Sequence, residues 1–190
     1  MKSRIEKSYP KISFVDTSWP EIHVADYSDK TDFARTIEYH ETKPADINSL
    51  TLINDGVLHI TAATLNEQSM TDPETGKEMS HCECVLFPQQ NDERTWVLFV
   101  EIKDCKQKNM SEYFKKAKEQ IIATVADFRD KEVISSGKKA HAVISFPNKT
   151  KTNYYSQFIT QGDRTSFLHQ YKIIIMATNT ITIKNNRSLS

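Results

Sequence analysis

Two apolar runs flank a polar turn between Ser80 and Lys106, and this pattern constrains the fold more than any other. The runs cover Cys82–Phe87 and Trp96–Ile102, and the segment between them, Gln89–Thr95, is polar. Runs of this length, rich in Val, Phe and Ile and bounded by turn residues, are typical of β-strands. We therefore predict two neighbouring antiparallel strands.

The centre of the turn predicts how the two strands pair. A hairpin centred near Asp92 pairs residues whose numbers sum to about 184, so Glu83 faces Glu101 and His81 faces Lys103. Side chains alternate between the faces of a strand, and these four residues therefore share one face. The opposite face is wholly apolar: Cys82, Cys84, Leu86, Leu98, Val100 and Ile102.

Two carboxylates and a lysine thus meet at one end of an apolar hairpin. A strand that is buried on both faces carries charge only for a reason, and adjacent carboxylates repel one another. Two explanations are open. In the first, Lys103 balances one carboxylate as a structural ion pair at the sheet rim, and in the second a metal ion is bound. A divalent cation balances both, because Mg²⁺ binds one or two carboxylates together with water and phosphate oxygens.

This arrangement resembles the PD-(D/E)xK nuclease superfamily. That family has an acidic residue on one hairpin strand and, on the next, Glu or Asp, any residue and then Lys. Here Glu83 matches the first acid and Glu101-Ile102-Lys103 the second element, although position 83 is Glu rather than the usual Asp and no Pro precedes it. The resemblance implies that Glu83, Glu101 and the Ile102 carbonyl bind Mg²⁺ or Mn²⁺. It also implies that Lys103 orients the attacking water.

The resemblance also implies a fold and a function. We expect an α/β, restriction-endonuclease-like domain over residues 1–190, with a central mixed sheet of four to six strands flanked by helices. Its core covers about 30–146, and a C-terminal strand covers about 171–183. The implied activity is metal-dependent hydrolysis of nucleic acid, with DNA as the implied substrate and a homodimer or larger complex as the assembly. The alternative is a catalytically inactive module for binding or assembly.

A helix is predicted ahead of the sheet, from Asp29 or Thr31 through Glu41. It ends before Pro44, because the residue before proline avoids the helical region. Nucleases of this family often carry an acidic residue on such a helix, so Glu38 is a candidate accessory residue. A solvated helix carboxylate is the alternative.

The clearest amphipathic helix follows the hairpin. It starts near Ser111 and continues to about Lys131 with apolar residues at helical spacing. Gln120 lies at the edge of its apolar stripe and is a second accessory candidate by resemblance, with a surface glutamine as the alternative. The apolar run Ala140–Phe146 comes next, which predicts a right-handed crossover to a parallel strand. Tyr171–Met176 is a predicted final strand.

The charge distribution is uneven although the net charge is zero. Residues 1–95 contain 17 acidic and 9 basic residues, and residues 96–190 contain 8 and 16. Such asymmetry predicts a basic surface in the second half. Lys106, Lys108 and Lys115 follow the proposed site and are candidates for contacts to nucleic acid, with a solvated helix face as the alternative.

Other patterns narrow the function classes. An apolar run of signal-peptide or membrane-spanning type is missing, so we expect a cytoplasmic protein without a membrane partner. The sequence has no nucleotide-binding glycine loop and no Gly-x-Ser-x-Gly. Cys82 and Cys84 suit a zinc site less well than a buried core, because a structural zinc site needs two closely spaced ligand pairs.

Overall fold

The structure is a computed structural model that describes residues 1–27, 37–65, 69–72, 74–104, 109–149 and 159–190. Within these ranges the helices are α1 (Lys2–Ser8), α2 (Met110–Asp130) and α3 (Gln161–Tyr171). The strands of the first half are β1 (Ser13–Thr17), β2 (Glu21–Asp26), β3 (Ile37–His40), β4 (Leu50–Ile53) and β5 (Ile60–Thr64). The later strands are β6 (Cys84–Pro88), β7 (Leu98–Ile102), β8 (Ala140–Ser145), β9 (Ile173–Ala177), β10 (Thr180–Asn185) and β11 (Ser188–Leu189).

A mixed six-stranded sheet forms the centre of the molecule. Its strand order is β1-β5-β6-β7-β8-β9. The pairs β1–β5, β5–β6 and β6–β7 are antiparallel, whereas the pairs β7–β8 and β8–β9 are parallel. Helix α2 joins β7 to β8, as the strand–helix–strand pattern predicts, and the central mixed sheet is confirmed.

A second sheet of five strands has the order β11-β10-β4-β2-β3. Its central pairing is parallel and joins distant segments, with Ile181 of β10 beside Leu52 of β4. Strand β2 is antiparallel to both β3 and β4. The sequence patterns do not predict this second sheet.

The two faces of the six-stranded sheet bury different partners. One face packs against the helices through residues such as Val85, Phe99 and Phe128. The other face packs against the second sheet through residues such as Leu52, Leu86 and others of β6, β7 and β10. The molecule therefore has three layers, with helices over one face of the central sheet and a second sheet over the other. The predicted central sheet with flanking helices is therefore present, and the second sheet over its other face is an addition that the sequence patterns do not predict.

Two predicted elements differ from the structure. Residues 28–36 lie outside the described ranges, and Ile37–His40 forms edge strand β3 rather than the end of a helix. Near the carboxyl end, the predicted strand at about 171–183 is two strands in different sheets, Ile173–Ala177 and Thr180–Asn185. Tyr171, the first residue of the predicted strand, is the last residue of helix α3. Within the described ranges, no helix is both long enough and apolar enough to cross a bilayer.

Candidate functional site

The structure brings Glu83, Glu101 and Lys103 together at the end of the β6–β7 hairpin. Lys103 Nζ contacts Glu101 Oε1 and lies 3.8 Å from Glu83 Oε1. The exposed fractions of the three residues are 1% for Glu83, 0% for Glu101 and 6% for Lys103. Burial of charge is costly unless the charges are paired, so this cluster differs from an ion pair on a solvated surface.

The hairpin register explains how these residues meet. Cys84, Val85 and Leu86 pair with Val100, Phe99 and Leu98, which is the register predicted from the centre of the turn.

The regular pairing ends at Glu83. Its N–H also donates to the Val100 carbonyl, at 3.0 Å, although Val100 already pairs with Cys84. Two consecutive residues on one strand therefore face one residue on the next, which is the geometry of a β-bulge. The predicted direct pairing of Glu83 with Glu101 is replaced by this bulge, and the two side chains meet at Lys103.

The bulge also corrects the predicted position of Cys82. Its side chain packs in the core beneath the helices, not on the opposite face beside Ile102. Bulges re-aim side chains and often lie next to functional sites. Burial raises the pKa of the Cys82 thiol, and the neighbouring Glu101 carboxylate raises this pKa further. Cys82 and Cys84 are thus buried core thiols.

Helix α2 holds the backbone that leads into the bulge. Gln120 Nε2 donates to the His81 carbonyl at 2.8 Å, and the Cys82 N–H donates to Thr124 Oγ1 at 2.8 Å. Both α2 side chains are buried. They fix the two residues that precede Glu83, so Gln120 lies near the candidate site as a positioning residue. Thr124 has the same role, which the sequence patterns do not indicate.

Strand β8 holds the backbone of Lys103 from the other side. The Lys103 N–H donates to the Ser145 carbonyl at 2.9 Å. Asn179 Oδ1 accepts hydrogen bonds from Ser145 Oγ at 2.8 Å and from the Phe146 N–H at 3.1 Å. Its Nδ2 donates to the carbonyls of Phe146 and Lys149, at 3.0 Å each. The sequence patterns do not indicate a role for Asn179, which lies between two apolar runs.

Two clefts lie beside the chain segments that carry the cluster, and their described walls do not include Glu83, Glu101 or Lys103. The larger has a volume of about 540 Å³, and its walls include Ile102 and Asp104, the residues on either side of Lys103. A chain of hydrogen bonds follows its wall: Asn48 Nδ2 donates to Asn148 Oδ1 at 2.6 Å, and Asn148 Nδ2 donates to Asp104 Oδ2 at 2.5 Å. This cleft lies at the carboxyl ends of the parallel strands β7 and β8, where ligands bind in many α/β sheets.

The smaller cleft lies on the side of helix α2. It has a volume of about 240 Å³, and its walls include Glu78, His81, Lys116 and Gln120. His81 is itself buried, with Nε2 at 3.1 Å from Glu78 Oε1 and Nδ1 at 2.9 Å from the Cys82 carbonyl oxygen. These contacts tie His81 to the backbone before the bulge.

The remaining predicted residues have separate positions. Glu38 lies exposed on edge strand β3, where its Oε2 is 3.5 Å from His40 Nε2. Its predicted place on a helix is wrong, because this segment pairs with β2. Lys115 is exposed on α2, and Lys106 and Lys108 lie outside the described residues.

The donor set suits a hard divalent cation. The Glu83 and Glu101 carboxylates converge on the position of the Lys103 ammonium, which shows that the fold stabilises positive charge there. Carboxylate and carbonyl oxygens are the ligands that Mg²⁺ and Mn²⁺ prefer. Among the described residues, no three His, Cys, Asp or Glu side chains are grouped to hold a metal. The oxygen donors that the described residues bring together here are the two carboxylates of Glu83 and Glu101.

Comparisons of the chain with models of protein families, with curated proteins and with solved structures found no match.

Proposed function

We propose that this protein is a metal-dependent nuclease whose catalytic residues are Glu83, Glu101 and Lys103. One observation carries the proposal. Two carboxylates and an ammonium group from neighbouring strands form one buried cluster, and Lys103 contacts Glu101 and lies 3.8 Å from Glu83. Charged groups are buried together in this way at catalytic and metal sites more often than in ordinary cores.

Each residue has a chemical role in this proposal. Glu83, Glu101 and the Ile102 carbonyl would hold Mg²⁺ or Mn²⁺. When bound, the cation supplies a water of lowered pKa and neutralises charge on the scissile phosphate. The Lys103 ammonium donates hydrogen bonds, so it can orient the attacking water and stabilise the negative charge that develops on the phosphate oxygens. Gln120 and Thr124 keep Glu83 in place through the backbone before it.

The proposed substrate is a phosphodiester of nucleic acid, with DNA as the first candidate. Lys115 is exposed on α2, and Lys116 on the same helix lines the smaller cleft beside His81. Lysines at such positions bind phosphates through charge and carry no sequence preference. The proposal therefore predicts cleavage that depends on backbone chemistry more than on base sequence.

The burial of the cluster favours a second candidate function. A nuclease must bring the scissile phosphate to its lysine, yet only 6% of Lys103 is exposed. A structural ion cluster needs no such access. The second candidate is a nuclease-like module without catalysis, which serves in binding or assembly.

Cleavage assays test the first candidate. Wild-type protein is incubated with single-stranded DNA, double-stranded DNA and RNA, with Mg²⁺, Mn²⁺ or EDTA. We expect metal-dependent cleavage that falls by at least about a hundredfold in Glu101→Gln and Lys103→Met. The matched control is Glu112→Gln, an exposed carboxylate on α2, which should cleave at the wild-type rate.

Calorimetry with Mn²⁺ separates the two candidates if cleavage is absent. Binding that is lost in Glu83→Gln and in Glu101→Gln, but kept in Glu112→Gln, supports a metal site that lacks its substrate or partner. No Mn²⁺ binding to a folded wild-type protein would contradict the nuclease proposal and favour the binding or assembly module.

A further inference from the structure

Another cleft opens at the opposite end of strands β7 and β8. It has a volume of about 440 Å³, within the range of ligand-binding clefts. Trp96 and His141 lie in its walls, and His141 is the β8 residue that pairs with Leu98 at the start of β7. Because the Glu83–Glu101–Lys103 cluster lies at the far end of the same hairpin, the two sites are separate.

Basic side chains predominate in this cleft. Its walls include Arg94, Lys138, Lys139 and Arg187, against one carboxylate, Glu93. Arg94, Lys139 and Arg187 are exposed, so their charged groups are available to a ligand. Such a concentration of positive charge in a concave surface attracts anions.

The nearby carboxylates already have partners within the protein. Glu93 Oε2 accepts a hydrogen bond from Ser135 Oγ at 2.7 Å. Asp92 Oδ1 accepts hydrogen bonds from the N–H groups of Arg94 and Thr95, at 2.7 and 3.0 Å. Its other oxygen lies 4.0 Å from Arg187, at the limit of an ion pair. The two acids therefore shape the turn and offset only part of the positive charge.

The walls of the cleft are fixed by hydrogen bonds. Trp96 donates from its N–H to the Asn186 carbonyl at 3.2 Å and from Nε1 to the Asn185 carbonyl at 2.8 Å. These bonds hold the β10–β11 turn, which carries Arg187. Lys138 is buried and its Nζ donates to the Asp92 carbonyl at 2.8 Å. A rigid wall loses little conformational entropy when a ligand binds.

His141 adds a polar group to the cleft. Its Nδ1 is buried and has no hydrogen-bond partner among the described residues. Burial lowers the pKa of this imidazole, so the ring is neutral near pH 7 and can donate one N–H. The half-buried imidazole therefore adds no positive charge near pH 7, and the cations of the cleft are its arginines and lysines.

We propose that this cleft, defined by Arg94, Lys139, His141 and Arg187, binds the phosphate groups of a nucleic-acid strand. Guanidinium groups donate two parallel hydrogen bonds to phosphate oxygens, and two of the four residues are arginines. Successive phosphates of one strand match cations that are spread over the cleft better than a single small anion does. This proposal does not depend on catalysis at the Glu83–Glu101–Lys103 cluster.

Fluorescence anisotropy with a short labelled single-stranded DNA in EDTA tests the proposal, because EDTA removes any contribution of bound metal. The variant pair Lys139→Gln with Arg187→Gln neutralises two exposed cations. We expect affinity to fall about tenfold or more, and the slope of log affinity against log salt to fall by about two. The matched control is Lys77→Gln, an exposed lysine in the turn after Asp72, outside this cleft.

Competition and a second variant complete the test. If inorganic phosphate displaces the DNA only at high concentration, the result supports a nucleic-acid strand as the ligand. If free phosphate competes as well as an equal concentration of DNA phosphate groups, the result contradicts a strand as the ligand. Glu112→Gln, which alters an exposed carboxylate on α2 outside this cleft, should bind the DNA as wild type does. Because the binding assay contains EDTA and needs no cleavage, failure of the nuclease proposal leaves its result intact. Equal losses in Lys77→Gln and in the cleft variants, or no DNA binding by wild-type protein, would overturn the proposal.

Discussion

Lys103 lies between two buried carboxylates, and its ammonium group is a cation that the described residues place against both of them. Of the described residues, the cluster contributes two negative charges and one positive charge within a few ångströms. Charges at such a distance interact strongly when water is excluded. Function and stability therefore make opposite demands on Glu83, which a metal site needs and a stable core does not.

This balance predicts opposite effects of two substitutions. Lys103→Met leaves both carboxylates buried without the ammonium and should lower the free energy of unfolding by about 3–5 kcal/mol. Glu83→Gln removes one negative charge and should change stability by less than about 1 kcal/mol, or increase it. Urea unfolding at neutral pH measures both values. If Glu83→Gln lowers the free energy of unfolding more than Lys103→Met does, the stabilising role proposed for the Lys103 ammonium is wrong.

At the scale of elements, the candidate site depends on a contact between a helix and a strand. Helix α2 crosses over β7 and β8, and Thr124 on it accepts a hydrogen bond from the backbone of Cys82. The hydroxyl group also donates to the Gln120 carbonyl one turn earlier, at 2.8 Å. The position of Glu83 is thus set by residues about forty positions later in the chain.

Removal of the Thr124 hydroxyl tests this dependence. Thr124→Val keeps the shape of the side chain but leaves the buried Cys82 N–H without its acceptor, which should cost about 1–3 kcal/mol. If the nuclease proposal holds, cleavage should fall more than substrate binding, because Glu83 shifts.

The matched control for this substitution is Thr165→Val. Thr165 makes the same hydrogen bond to the carbonyl one turn back, Gln161, at 3.0 Å, but on the exposed face of α3. Its loss should change stability by less than about 0.5 kcal/mol. A similar loss in both variants would indicate that the contact with Cys82 contributes nothing.

The sequence predicts the local part of this arrangement and misses the distant part. The β6–β7 register follows from one turn and two alternating runs, and the structure confirms it. The alternation of side chains does not predict the bulge at Glu83. The bulge occurs together with hydrogen bonds to helix α2, which lies far along the chain and leaves no mark on the local pattern. The segment Ile37–His40 continues a helical spacing of apolar residues from Phe33, yet it is paired with β2, and such pairing overrides local periodicity.

At the scale of the whole molecule, two histidines with a lowered pKa, one buried and one half-buried, make stability depend on pH. Burial lowers the pKa of His23 and of His141 below their ordinary value of 6.5. The nearby Glu21 carboxylate opposes the effect at His23. In the unfolded chain both imidazoles regain the ordinary pKa. The unfolded state therefore binds more protons than the folded state at pH values between the lowered pKa and about 6.5.

The sign of the effect follows from this difference in bound protons. Stability should be complete above about pH 6.5 and should fall as the pH decreases below it, by up to about 1.4 kcal/mol per pH unit for each histidine. Urea unfolding at about pH 7.5 and about pH 5.5 measures the change. The double variant His23→Gln, His141→Gln should show a smaller change. An unaltered pH dependence in that variant would assign the effect to other groups.

The parallel pairing of β4 with β10 has a consequence for synthesis of the chain. Thr51 pairs with Thr180, so about 130 residues separate the partners. At roughly 5–20 residues per second, a ribosome needs about 6–26 seconds to supply them. During this time one edge of β4, with the sequence Leu-Thr-Leu-Ile, offers its backbone groups to any other strand. We therefore expect that the nascent chain needs a chaperone, or passes through a slow step whose rate depends on protein concentration, before its second sheet is complete.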